Sequence, residues 1–160
     1  MRSPVVKRAT HVLRVPQVRA LREAEQEHCY VLGLDAGHHV TVVHLVSVGT
    51  VDIAYPHARD VFRELIRHNC VKFVFVHNHP GGHTGPSDGD RDVTAWLRHA
   101  GEWLGIPLVA HVLVPGRRGC PVDVGPPLEA PDRSRTEPAG MRGCQRGGRS
   151  AHELPHEPLP

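Results

Sequence analysis

Apolar residues along this chain follow two rhythms. "CYVLGLD" (29–35) and "HVTVVHLVSVG" (39–49) are β-branched runs joined by "DAGHH", a turn-forming stretch, so they predict a β-hairpin. In "HARDVFRELIRHNC", Ala58, Val61, Phe62, Leu65 and Ile66 repeat at helical spacing. "VKFVFVH" is a nearly unbroken apolar run of strand length, the kind buried on both faces of a sheet. Val93, Trp96, Leu97, Ala100 and Leu104 outline another amphipathic helix, closed by Gly105 and Pro107. "LVAHVLV" reads as a last strand, and residues 15–26 as a leading helix with Pro16 in its first turn. The order α-β-β-α-β-α-β implies an α/β fold, a three-layer domain on a mixed sheet. No internal repeat interrupts it.

Composition narrows the extent of that domain. All seven aromatic residues lie between positions 30 and 103 of the 160, and eight of the fifteen prolines lie beyond residue 116. A segment that poor in large apolar side chains cannot offset its own ordering entropy, so 117–160 is expected to be a disordered Pro/Gly/Arg-rich tail. The folded unit is then roughly 10–116.

Charge changes the picture little. Nineteen Lys/Arg against seventeen Asp/Glu give a net charge of +2, with no basic cluster interleaved with aromatics, which argues against direct nucleic-acid binding by the core. The four cysteines (Cys29, Cys70, Cys120, Cys144) show no C-x-x-C spacing, so a disulfide framework is not expected. No apolar run reaches membrane-spanning length, and the N-terminal residues lack a signal-peptide core. These features lead to the expectation of a cytoplasmic protein. The fourteen histidines are the notable excess, because imidazoles bind metals.

The chemistry concentrates in "HNHPGGHTGPSDGD", residues 77–90. Side chains two apart on a strand face the same way, so His77 and His79 can converge on one ion if the chain bends at their position. Asp90 is the nearest carboxylate able to join them once the Gly/Pro loop turns the following helix back. Two imidazoles and one carboxylate leave a fourth tetrahedral position for water, the open arrangement of catalytic zinc sites. Ser87, three residues before Asp90, reads first as a helix N-cap in a capping box. A cap and a site role are compatible, since a capped first turn also fixes where Asp90 points. A general base is still needed, and Glu27, opening the first strand, is the best candidate, with Glu23 and Glu25 as rivals.

His77-x-His79-Pro80-x-Gly82-x-x-x-Pro86-Ser87-x-x-Asp90 resembles the JAMM (MPN+) metalloprotease signature, in the variant found in RadC-type proteins. "EHCYVLGLD", "VSVGTVD", "HARDVFRELIRHN" and "LGIPLVAHVLVPG" follow that family's order from about residue 16 to 116. The resemblance implies a RadC-like JAB/MPN domain at 16–116, with a cytidine-deaminase-like fold, an N-terminal extension at 1–15 and the tail at 117–160. It implies Zn²⁺ held by His77, His79 and Asp90, with Glu27 as proton acceptor and donor and Ser87 as a hydrogen-bond donor to the developing oxyanion. Ala110-His111 departs from the Asp-His usual on the last strand in that family, which bears on how the ligands are oriented rather than on the ligand set. His83 also departs, at an often acidic loop position.

The activity implied is a zinc-dependent metallopeptidase or isopeptidase acting on a peptide or protein substrate. The alternatives are a RadC-like accessory protein associated with DNA repair, and a zinc-binding scaffold without turnover. The helix-hairpin-helix segment of longer RadC proteins has no counterpart in these residues, which weakens the DNA alternative. A ββα-metal nuclease is the wrong frame for this strand, loop and long helix. A nucleoside deaminase would need a different His/Cys pattern.

Overall fold

The computed structural model describes residues 3–49, 56–81, 83–116 and 119–125. Gly82 of the loop and the part of the expected tail from 126 onward lie outside the described residues. The expected hairpin forms from β1 (Glu27–Leu34) and β2 (Val40–Gly49), paired antiparallel from Glu27↔Gly49 to Leu34↔Val40. Three further strands are β3 (Lys72–Asn78), β4 (Leu108–Val114) and β5 (Val122–Asp123). The sheet order is β2-β1-β3-β4-β5. Only β3 and β4 run parallel, because a helical crossover, α3 (Asp88–Leu104), joins them.

Alternation along the central strands sorts two cores. Leu32, Leu34, Val74, Val76, Val112 and Val114 face the N-terminal segment, where Val12, Val15, Val18 and Leu21 are buried against them. Val31, Phe73, Phe75 and Leu108 face the other way, onto α3 and α2 (Ala58–Arg67), meeting Val61, Phe62, Leu65 and Leu97. Helices on both faces of a mixed sheet make the three layers. His77 shares the parity of Phe73 and Phe75, and His111 that of Leu113, so both imidazoles face the α3 layer.

Three details differ from the sequence expectation. The leading helix does not run to residue 26: α1 spans Pro16–Ala20, between 3-10 turns at Ala9–Arg14 and Leu21–Glu23. Its buried residues fall every third position (12, 15, 18, 21), a spacing that the 3-10 period keeps on one face. The packed unit also extends past 16–116 at both ends. Val6 and Val12 enter the core, and Val122–Asp123 pairs with Val112 and Leu113 of β4 while Val124 is buried. Short valine-containing stretches are enough to continue a sheet edge without any aromatic residue. Finally, α3 is rotated from its expected stripe: Trp96 and Leu104 are exposed, and Thr94 and Gly101 take buried positions. Gly101 is there because a Cβ would lie 2.6 Å from the Ile106 carbonyl. The helix ends as expected, with Gly105 in the left-handed conformation at φ 68.

Candidate metal centre

β3 carries His77 to the sheet's end and stops at Asn78, after which the Pro/Gly loop brings the chain round to α3. Ser87 caps that helix. Its hydroxyl oxygen accepts from the Asp90 N–H at 3.2 Å, and Asp90 Oδ2 accepts from the Ser87 N–H at 2.6 Å, so the capping box is complete. The Ser87 hydroxyl also donates to Asp90 Oδ2 at 2.7 Å. Two bonds to Oδ2 therefore aim the carboxylate of Asp90 across the loop at the end of β3, and the third fixes its backbone.

His77, His79 and Asp90 come together there, with ligand atoms all within 4.8 Å of one another. His77 Nε2 lies 3.1 Å from His79 Nε2 and 3.0 Å from Asp90 Oδ1, and His79 Nε2 lies 3.4 Å from Asp90 Oδ2. Donors about 2.0–2.1 Å from an ion at tetrahedral angles stand about 3.3 Å apart, so these spacings fit a zinc-sized ion. Two imidazole nitrogens and a carboxylate are also a donor set such ions accept.

The electrostatics agree with that fit. Burial pushes the Asp90 carboxyl up, but the close imidazoles of His77 and His79 and the hydrogen bond from Ser87 outweigh it and hold the group well below the usual carboxylate range. The hydrogen bond to Asp90 raises the pKa of His79. His111 is lowered to about 3, by burial first and the neighbouring His77 second, so it is a neutral imidazole near pH 7.

Four polar side chains are buried among the described residues (His77, Asn78, Thr94 and His111), and all four belong to this region. Burying polar groups is costly unless they are paired, and here they are. His111 Nε2 lies 2.8 Å from His77 Nδ1, and His111 Nδ1 lies 2.6 Å from Thr94 Oγ1, which in turn donates to the Asp90 carbonyl at 2.6 Å. Asn78 accepts from the His28 N–H at 2.8 Å and donates to the Gln26 carbonyl at 3.0 Å. It thus clamps the backbone on both sides of Glu27, where β1–β3 pairing has already ended at Cys29↔His77.

Glu27 is the first residue of β1 and lines the same cavity, about 80 Å³, as His77, His79, Asp90, Cys29 and Ser47. Its carboxylate raises the pKa of His79, so its charge reaches the cluster. An outer groove of about 890 Å³ adjoins it, bordered by Glu25, Gln26 and the loop residues His79, Pro80, His83 and Pro86. Glu25 therefore stands on the groove rim, and Glu27 alone of the three candidate glutamates lines the cavity with the cluster. Burial pushes the thiol of Cys29 up to about 12, so it faces the cavity as a protonated group.

The sequence pattern alone marks neither Asn78 nor Thr94 as a site residue. Thr94 follows Asp90 by four residues, one helical turn, and that spacing was the available clue. Asn78 offered none, since its partners are fifty residues away on another strand.

Residues 6–120 match the family model described as RadC-like JAB domain. Over 95 residues the chain is 46% identical to a UPF0758 protein of Thermotoga maritima and 38% identical to one of Pelodictyon phaeoclathratiforme, each match covering 59% of this chain and 42% of the relative. A UPF0758 protein of Chlorobium luteolum is 42% identical over 89 residues, covering 56% of this chain and 40% of its own length. The chain thus spans well under half the length of these curated relatives.

Proposed function

This chain belongs to the RadC-like JAB domain family, and on that premise we propose that it is a zinc-dependent hydrolase of amide bonds in a peptide or protein substrate. The observation that carries the reading is the pairing of a three-donor cluster at tetrahedral spacing with a separate carboxylate, Glu27, lining the same small cavity. His77, His79 and Asp90 are the residues that would hold zinc. Bound there, it would acidify a water and polarise the scissile carbonyl.

Every other part of the reaction falls to the chain. Glu27 takes the proton of the attacking water and passes it to the leaving amine, the general base and acid of a single carboxylate. Asn78 keeps Glu27 in place through the backbone on either side of it. Ser87 holds Asp90 while the protein is free, and its hydroxyl hydrogen can rotate from Asp90 Oδ2 to a developing oxyanion. The groove of about 890 Å³ beside the loop is where a peptide would lie, and Glu25 gives its rim an acidic residue.

The test is hydrolysis of short peptides and ubiquitin-like fusions by zinc-loaded protein, with and without chelator. Glu27→Gln is expected to lower the rate by roughly 10²- to 10⁴-fold while the bound zinc stays at one per chain. A chelator-sensitive activity untouched by Glu27→Gln removes Glu27 from the mechanism. Zinc binding without hydrolysis across the panel favours a metal-binding scaffold instead.

A further inference from the structure

The three distances that run behind His77 form a chain whose direction can be worked out proton by proton. A backbone carbonyl only accepts, so at 2.6 Å the Thr94 hydroxyl hydrogen is committed to the Asp90 carbonyl. The Thr94 oxygen then faces His111 Nδ1 at 2.6 Å with only lone pairs to offer, and His111 Nδ1 must carry a hydrogen. His111 is 2% exposed and lies between a hydroxyl oxygen and a second imidazole, with no anionic side chain bonded to it to hold a second proton, so its Nε2 is bare and at 2.8 Å accepts from His77 Nδ1–H. With that hydrogen used, His77 Nε2 is the atom left to face His79 and Asp90. Run the other way, the chain would place the proton of a neutral His77 on Nε2, inside the donor cluster.

We propose that Thr94 and His111 are positioning residues that lock His77 as the Nδ1–H tautomer with Nε2 turned to the metal, the chain being anchored on the carbonyl of Asp90 itself. The inference rests on the zinc reading above and adds residues to it. The anchor closes a loop: Asp90 supplies a carboxylate to the cluster and, through its backbone, the terminal acceptor that orients a second ligand. All members except Asp90 are at most 4% exposed, so water does not compete for these bonds. The nitrogen of His79 that would take an equivalent bond, Nδ1, is buried with no partner in hydrogen-bond geometry, although the His83 backbone lies near enough to favour its charged form. One of the two histidines is therefore backed by a chain of buried side chains behind its ring, and the other is not.

Two measurements test this. The first is long-range ¹H–¹⁵N NMR of histidine-labelled wild-type protein, which reads each ring's tautomer directly. His111 is expected to carry its proton on Nδ1 with Nε2 bare, both metal-free and zinc-loaded, and a His111 protonated on Nε2 overturns the proposal. The second is competition for Zn²⁺ against a chromophoric chelator. Thr94→Val, which keeps shape and loses the hydroxyl, is expected to weaken zinc binding by about 10-fold or more, and Thr94→Ser to stay near wild type. Equal binding by Thr94→Val, or equal loss in both variants, overturns the relay while leaving the zinc reading intact. A wild type that takes up no zinc defeats both.

Discussion

The strand side and the loop side of the candidate metal centre are built differently. On the strand side His77 is 1% exposed, fixed by β3 and backed by His111 and Thr94. On the loop side the His79 side chain is 16% exposed, sits beyond the end of β3 and borders the open groove. Asp90 joins the two, held by the capping box that starts α3. One candidate ligand is made rigid by packing while its neighbour is left accessible, so that under the proposed function metal and substrate would reach the cluster from the loop side.

The comparison is broken most directly by truncating each histidine. His77→Ala and His79→Ala should each lower zinc affinity by more than the 10- to 100-fold that partners behind a ligand typically cost. Only His77→Ala should also destabilise the metal-free protein strongly, by about 2–4 kcal/mol in chemical denaturation, because it opens a cavity and strips His111 of its donor. His79→Ala should cost under about 1 kcal/mol in the same assay, since its ring lies at the loop. Equal costs would show that the two sides are supported alike.

Asn78 sharpens the strand side further. Asn78→Ala leaves the His28 N–H and Gln26 carbonyl without their partner, so a loss of about 1–3 kcal/mol is expected. Hydrolysis should fall with it while zinc affinity changes little, since Asn78 holds Glu27 and not a ligand. Matched losses of both would contradict that division. For the joining element, Ser87→Ala removes the cap and one bond to Asp90, for about 1 kcal/mol of stability and a severalfold weaker grip on zinc, read by melting and by chelator competition.

Much of this site could be read along the chain, because its ligands are local. The spacing of His77, His79, Ser87 and Asp90 is set by a strand end, a Gly/Pro loop and a capped helix, each with its own short-range rule. Long-range partners followed no such rule. Thr94 is a polar residue beside an apolar stripe, and the stripe that the pattern predicts includes Trp96 and Leu104, which face outward. Asn78 gains its role from a register across β1 and β3, which one strand's pattern does not encode. The N-terminal turns and β5 escaped because three-residue spacing and a two-residue strand are too short for helix or strand periodicity to register.

The smallest effect concerns two cysteines, Cys29 buried at the cavity and Cys120 exposed. A thiol pushed up to about 12 keeps almost no thiolate until the pH approaches that value, so Cys29 should resist alkylation at pH 8. Exposed Cys120 should react under the same conditions, as peptide mapping would show. Rapid labelling of Cys29 would mean that the strand side is open to solvent.

X-ray absorption at the zinc edge of protein loaded with one equivalent of zinc reads the ligand set of the cluster. If His77, His79 and Asp90 hold the ion, the first shell is nitrogen and oxygen at about 2.0–2.1 Å with two imidazole rings in the outer scattering, reduced to one ring in His77→Ala. A sulfur shell at about 2.3 Å, or a spectrum unchanged by His77→Ala, would contradict it.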